Sequence, residues 1–125
     1  MKILFVDDAL DTREIYRMYF SLGAHTVHLA ENGVEAVTAV ETEAFDVVVL
    51  DMAMPVMSGW EALEQIRQLP LGRDVPVIFF TAYFRRHIEE RALAAGANMV
   101  LSKPMMPAEL LAAMEDLQKS RSGNA

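Results

Sequence analysis

The sequence predicts an α/β domain in which a parallel sheet carries helices on both faces. Two observations carry this reading: short apolar runs bounded by polar or turn residues, and helically spaced apolar residues in the intervals between them. Strands buried on both faces read as continuous apolar runs, and strict alternation of strand with helix imposes right-handed crossovers and a parallel sheet.

Taken in chain order, Ile3 to Val6, Val47 to Leu50, Val77 to Phe80 and Met99 to Leu101 read as buried strands. Thr26 to Leu29 alternates more, with His25 and His28 interrupting it, and is expected at a sheet edge. Between them, Ile15, Met18, Tyr19 and Leu22 define the expected buried face of the first helix. Ala36, Val37 and Val40 do so for the second, and Leu63 and Ile66 for the third. Phe84, Ile88, Ala92 and Ala95 mark the fourth, and Leu110, Leu111, Met114 and Leu117 the fifth. Capping boxes are expected from Asp11 to Glu14 and from Ser58 to Glu61, Asn32 precedes a helix start at Gly33, Pro107 suits a first turn and Gly96 a helix end. Gly59 is expected to permit close backbone approach. The resulting architecture is a flavodoxin-like (βα)5 fold, a doubly wound five-stranded parallel sheet of strand order 2-1-3-4-5.

A chain of 125 residues with 53% hydrophobic residues is enough for one core, so a single domain is expected over residues 1–119, with 120–125 as a flexible tail or the start of a linker. No apolar run approaches the roughly 18 residues of a membrane span, and the opening MKILFVDD turns acidic too early for a signal peptide, so a cytoplasmic location is expected. The absence of cysteine excludes disulfides and thiolate metal sites. A net charge of −7 disfavours direct binding to nucleic acid or anionic membranes, which needs clustered Lys and Arg.

The polar residues that follow the strands point to chemistry. Asp7 and Asp8 follow the first strand, Asp51 the third, Thr81 the fourth and Lys103 the fifth, so all fall at the carboxyl edge, where open parallel sheets bind ligands. At an effective dielectric of 20, each close pair of carboxylates repels by about 4 kcal/mol, which a cation normally offsets. With oxygen ligands and no cysteine or suitably placed histidine, the hard ion Mg²⁺ is favoured. Such a site suits phosphoryl transfer to a carboxylate, with a metal and Lys103 neutralising the phosphoryl oxygens. Taken singly, Asp7 or Asp8 could cap a helix, Lys103 could be a surface lysine and Thr81 a strand residue; their joint placement carries the inference. His25, His28 and His87 lack metal-ligand spacing. Met52, Met54, Met57, Met105 and Met106 read as loop and core filling, and Arg85, Arg86 and Arg91, interleaved with Glu89 and Glu90, as a solvated helix face.

The segments VDDALDTRE, VVLDMAMPVMSGWE, FFTAY and AGANMVLSKP resemble, in order and spacing, the motifs of response-regulator receiver domains, over residues 2 to about 119. The resemblance implies a two-component phosphorelay module with Asp51 as phosphoacceptor, and Asp7, Asp8, Asp51 and the backbone carbonyl of Ala53 as Mg²⁺ ligands. It also implies Thr81 as the hydroxyl that bonds a phosphoryl oxygen, Lys103 as its cationic partner and a cis Lys103–Pro104 bond. The phosphodonor would be a sensor histidine kinase or a histidine phosphotransfer protein. The output would be an unidentified protein or fused domain, and the module itself would turn over no external metabolite.

Three positions depart from the family pattern: Val100 stands where an aromatic switch residue is common, and Ala53 and Tyr83 stand where side chains flank the phosphorylation site. Alanine cannot orient a hydrolytic water, so slow self-dephosphorylation is expected, aided by a Tyr83 ring over the phosphate. Gly96, Ala97 and Asn98 supply no charges for the dimer salt bridges of one receiver subclass, so the expectation is a monomer, or a homodimer only on phosphorylation. The competing reading is a phosphorylation-independent pseudo-receiver that binds proteins. A haloacid-dehalogenase-like hydrolase is remote, since that pattern wants an Asp where Ala53 stands.

Overall fold

In a computed structural model that describes residues 1–123, the apolar runs form strands and the intervals helices. The order is β1 (Lys2–Val6), α1 (Leu10–Leu22), β2 (Thr26–Ala30), α2 (Gly33–Thr42), β3 (Val47–Leu50), α3 (Gly59–Arg67), β4 (Val77–Thr81), α4 (Arg86–Ala94), β5 (Met99–Ser102) and α5 (Pro107–Gly123). The strands pair in parallel in the order β2-β1-β3-β4-β5, the flavodoxin-like topology expected, with β2 at one edge. Among the described residues no helix is long and apolar enough to cross a membrane.

Alternate residues of each strand feed two cores, as the pleat requires. Leu4, Val48, Leu50, Val77 and Phe79 pack with Ala36, Val40, Leu63, Ile66 and Ala92 on the side of α2, α3 and α4. Ile3, Phe5, Val47, Val49, Ile78 and Phe80 pack with Tyr16, Phe20, Leu110 and Met114 on the side of α1 and α5. The central strands are therefore apolar on both faces, which is why their sequences do not alternate.

Helix ends follow local chemistry in most places. Ser58 and Glu61 form the expected capping box, Asn32 accepts from the Glu35 amide, and Gly96 follows the Ala95 C-cap with φ +109°. Gly59 starts α3 directly beneath the end of β3: a Cβ there would lie 2.2 Å from the Asp51 carbonyl oxygen, while its amide donates to Met52 O at 2.9 Å. Only glycine allows that approach.

Elsewhere the structure departs from the sequence reading. The buried face of α1 is Tyr16 and Phe20, whereas Ile15, Met18, Tyr19 and Leu22 face solvent. Both sets have helical spacing; the ring set is selected because Tyr16 stacks on Phe5 at 5.0 Å and meets Phe80 edge-on at 5.8 Å, and its hydroxyl donates to the Met105 carbonyl. Nor does Asp11 cap α1: the helix begins at Leu10 with Ala9 as N-cap and no side-chain cap, so Asp11 lies in the first turn, where its charge complements the helix dipole. Phe84 lies before α4 and Ala95 is exposed at its C-cap, which leaves Ala92 as that helix's one fully buried residue. Finally, α5 continues through Ser120 to Gly123, where a tail was expected, because nothing before Gly123 breaks a helix and each added residue gains a backbone bond; Asn124 and Ala125 lie outside the described residues.

Val56, in the β3–α3 loop, has φ +71° and is 81% exposed. A β-branched residue in the left-handed region is strained and here gains no packing. Val56→Gly is expected to stabilise the chain by about 1 kcal/mol in thermal unfolding. Phe20→Ala is expected to cost about 4 kcal/mol and Met18→Ala in dilute solution less than about 0.5, by chemical denaturation; equal costs would contradict the orientation of α1.

Candidate functional site: an acidic pocket at the carboxyl edge

Parallel pairing carries the strand ends to a common edge. Val6 is level with Leu50, Leu50 with Phe79, and Thr81 with Ser102. Backbone bonds extend this register into the candidate residues: the Asp7 amide donates to Ala30 O at 3.1 Å, Asp51 to Val6 O at 3.1 Å and Lys103 to Thr81 O at 2.8 Å. Residues some fifty positions apart in sequence are thus held side by side by the sheet itself.

Asp7, Asp8 and Asp51 each place a carboxylate oxygen within 4.8 Å of the others. Asp7 and Asp51 are buried and Asp8 is exposed, so the cluster opens to solvent on one side. Lys103 reaches in from beyond β5, its Nζ 2.6 Å from Asp7 Oδ2 and 3.3 Å from Asp51 Oδ2, and 5.4 Å above the Phe80 ring. The Lys103–Pro104 peptide is cis, as the resemblance implied. Asp7 is fixed further: its Oδ1 accepts from the Ala9 amide at 2.9 Å, and its backbone carbonyl accepts from Arg13 at 2.7 Å. Asp51 Oδ1 accepts a long bond, 3.4 Å, from the Ala53 amide, leaving that carboxylate the less constrained of the two.

Thr81 is buried at the end of β4, and its Oγ1 accepts from the Tyr83 amide at 2.9 Å. A hydroxyl that accepts in this way keeps its proton for an oxygen acceptor. Tyr83 is exposed, and Ala53 is exposed with no side-chain polar group. Val100 is buried in the core, so no ring occupies that position on β5. Arg86 pairs with Glu90 at 3.5 Å, one turn away as a solvated face would have it. Arg91 instead lies over Trp60 at 4.1 Å and ties α4 to α3, a contact that helical spacing alone did not suggest.

The electrostatics are those of a site that favours added positive charge. Burial pushes the Asp51 pKa up, Lys103 pulls it down and the neighbouring Asp7 adds to the rise, with a net upward shift. Burial alone would lower the Lys103 pKa, but the hydrogen bond to Asp7 and the charges of Asp51 and Asp7 outweigh it and hold the ammonium above the ordinary lysine value. The donor set of three carboxylates fits a hard divalent cation.

Because the raised Asp51 pKa means that the native state holds its proton more tightly than the unfolded chain, stability falls as pH rises from the ordinary carboxylate value through the raised one. In the presence of a chelator, Asp51→Asn is therefore expected to be more stable than wild type at neutral pH, with the gap closing as pH falls through that interval. Thermal unfolding of both proteins across acid to neutral pH reads this directly; a gap that widens towards acid would contradict it.

Comparison with known proteins places this arrangement. The family model described as the response regulator receiver domain matches residues 3–115. The chain is 40% identical over 111 residues to an uncharacterised 14.6 kDa protein encoded in the sodA1 3′ region of Leptolyngbya boryana, covering 89% of this chain and 85% of that one. It is also 40% identical over 119 residues to the response regulator MprA of Mycobacterium avium, covering 94% of this chain but 50% of that protein, so the chain spans about half the length of the MprA regulators. Among solved structures, Vibrio cholerae chemotaxis protein CheY4 superposes with a TM-score of 0.87 at 29% identity, covering 92% of this chain and 96% of that one. The receiver domain of sensor histidine kinase PA1611 from Pseudomonas aeruginosa, described with a magnesium ion coordinated in its active-site cleft, gives 0.86 at 30% identity, covering 94% and 97%. With the fold, the strand order and the family match in agreement, the chain belongs to the response regulator receiver domains of two-component systems.

Proposed function

We propose that this domain accepts a phosphoryl group on Asp51 from a histidine kinase or histidine phosphotransfer protein in the cytoplasm, and that phosphorylation alters its binding to an output partner. The observation that carries this reading is Lys103 reaching both buried carboxylates, 2.6 Å from Asp7 and 3.3 Å from Asp51. A lysine at a carboxylate cluster open to solvent suits charge that arrives with a ligand.

Asp7, Asp8 and Asp51, with the Ala53 carbonyl, are the groups that would hold Mg²⁺. The bound ion would neutralise phosphoryl oxygens and keep Asp51 ionised. Asp51 attacks phosphorus in line through a carboxylate oxygen; the new P–O bond forms as the P–N bond to the donor histidine breaks, and the donor imidazole leaves. Lys103, already within 3.3 Å of Asp51, is placed to follow the charge from the carboxylate to the phosphoryl group. Thr81 has a hydroxyl proton to donate to a phosphoryl oxygen, with its backbone partner Tyr83 fixing the oxygen's position. The exposed methyl of Ala53 has no means of orienting water near the acyl phosphate, which supports slow self-dephosphorylation.

Intact mass after treatment with acetyl phosphate and Mg²⁺ tests the acceptor. A gain of one phosphoryl group in wild type, lost in Asp51→Ala, is expected. No gain with acetyl phosphate or with a candidate kinase would favour a phosphorylation-independent binding module. Once phosphorylated, Ala53→Asn is expected to lose its phosphate about tenfold faster than wild type, measured as the decay of the phosphorylated mass.

A further inference from the structure

Tyr16 does more in this fold than its place in the core requires. Its ring lies on Phe5 at 5.0 Å and 22°, and meets Phe80 edge-on at 5.8 Å. A phenylalanine would fill the same space and make the same ring contacts. The hydroxyl is what a phenylalanine lacks, and it donates to the Met105 carbonyl, 89 residues along the chain. Burial raises the Tyr16 pKa against the pull of the Lys103 charge, so the hydroxyl keeps its proton and acts as a donor at neutral pH.

The acceptor lies in the loop from β5 to α5, two residues after Lys103. Before it, the Lys103 amide is tied to Thr81 O at 2.8 Å; after it, Met106 O accepts from the Glu109 and Leu110 amides as α5 begins. Among the described residues, the one hydrogen bond to the main chain of Pro104 or Met105 is that from Tyr16. The Met105 side chain adds apolar contact with the core, which is not directional. Close packing does not replace the bond, because a cleft of about 250 Å³ is lined both by Thr12, Ile15 and Tyr16 of α1 and by Lys103, Pro104 and Met105. The loop borders open space as it passes α1, and the Tyr16 hydroxyl spans the gap. Both sets of Tyr16 contacts lead to the lysine: Phe80, which the ring meets, is the residue over which the Lys103 ammonium lies at 5.4 Å.

We propose that Tyr16 is a positioning residue for Lys103: its hydrogen bond to Met105 fixes the β5–α5 loop so that the ammonium stays between Asp7 and Asp51. Without that bond the loop gains freedom towards the cleft, and the lysine spends more time away from the two carboxylates. Two effects of opposite sign follow. A displaced ammonium no longer competes for the carboxylates, so Mg²⁺ binds more tightly. It also no longer meets the phosphoryl oxygens, so transfer to Asp51 slows. These two effects rest on the function proposed above; the placement of the amine does not.

Tyr16→Phe removes the hydroxyl alone. In metal-free protein, acylation of Lys103 by acetic anhydride, mapped by peptide mass against Lys2 and Lys119, is expected to run about fivefold faster than in wild type, the effect of one ordinary hydrogen bond. Mg²⁺ affinity by calorimetry is expected to rise about threefold, and phosphate uptake from acetyl phosphate at saturating Mg²⁺ to fall about fivefold. In a Lys103→Ala background, Tyr16→Phe should leave Mg²⁺ affinity where it is. Ile3→Val loosens the same core without touching the loop, and is expected to keep all three readouts at wild-type values. Unchanged Lys103 acylation in Tyr16→Phe overturns the proposal. So does an Ile3→Val protein that shows the same changes, since Tyr16 then only fills the core. A fall in both Mg²⁺ affinity and phosphate uptake overturns it too, because that is the mark of a damaged pocket. If wild type binds no Mg²⁺ and takes up no phosphate, the function proposed above fails, and the acylation rates by themselves still decide the role of Tyr16.

Discussion

The Lys103 ammonium lies between two buried carboxylates, and much of the structure can be understood from that contact. Asp7 and Asp51 sit close together in a partly desolvated pocket with Asp8 beside them, an arrangement that repels itself and gains nothing from hydrophobic burial. Lys103 offsets part of this at 2.6 Å and 3.3 Å, and the Ala9 and Ala53 amides add hydrogen bonds to the carboxylates. The upward shift of Asp51 shows that the compensation is incomplete. A bound cation would relieve that residual unfavourable charge, which supports the proposed transfer of a phosphoryl group onto the Asp51 carboxylate.

The sheet supplies the rigidity such a site needs. Asp7, Asp51, Thr81 and Lys103 are each joined by backbone hydrogen bonds to or beside a strand that is buried on both faces, so their positions are set by the ladder. Gly59 brings the start of α3 against the Asp51 carbonyl, and the Ser58–Glu61 capping box holds that helix end in place. On the opposite side, Tyr16 links α1 to the loop after β5 through Met105 and to the sheet through Phe5 and Phe80, the ring over which Lys103 lies. The lysine is thus packed against the same aromatic cluster that orients α1.

That cluster also explains the exposed stripe. Once Tyr16 and Phe20 take the inward positions, Ile15, Met18 and Leu22 must point outward, because residues so spaced cannot share one face of a helix with them. The sheet end with its buried charges and the outer face of α1 with its unburied hydrophobic groups are therefore two consequences of one packing choice. Val56 adds a third local departure from ideality, a strained residue in the loop that leads from β3 into α3.

The sequence alone determined the parallel α/β class, the positions of all ten elements to within a few residues, the Ser58 and Asn32 caps, the helix end at Gly96 and the close approach at Gly59. It also indicated the carboxyl-edge residues Asp7, Asp8, Asp51, Thr81 and Lys103, because strand ends in a parallel sheet converge and polar residues ending apolar runs are easily seen. Tertiary structure decided which of two equally periodic faces of α1 is buried, since periodicity counts spacing while ring stacking against Phe5 and Phe80 depends on partners far along the chain. It decided that Ala9 rather than Asp11 precedes α1, because Asp7 turns back to bond the Ala9 amide. The length of α5, the Arg91–Trp60 contact and the closer approach of Lys103 to Asp7 than to Asp51 were likewise settled in three dimensions. Pattern along a chain reports which residues prefer burial or charge, but only assembled neighbours fix which of several adequate partners each one meets.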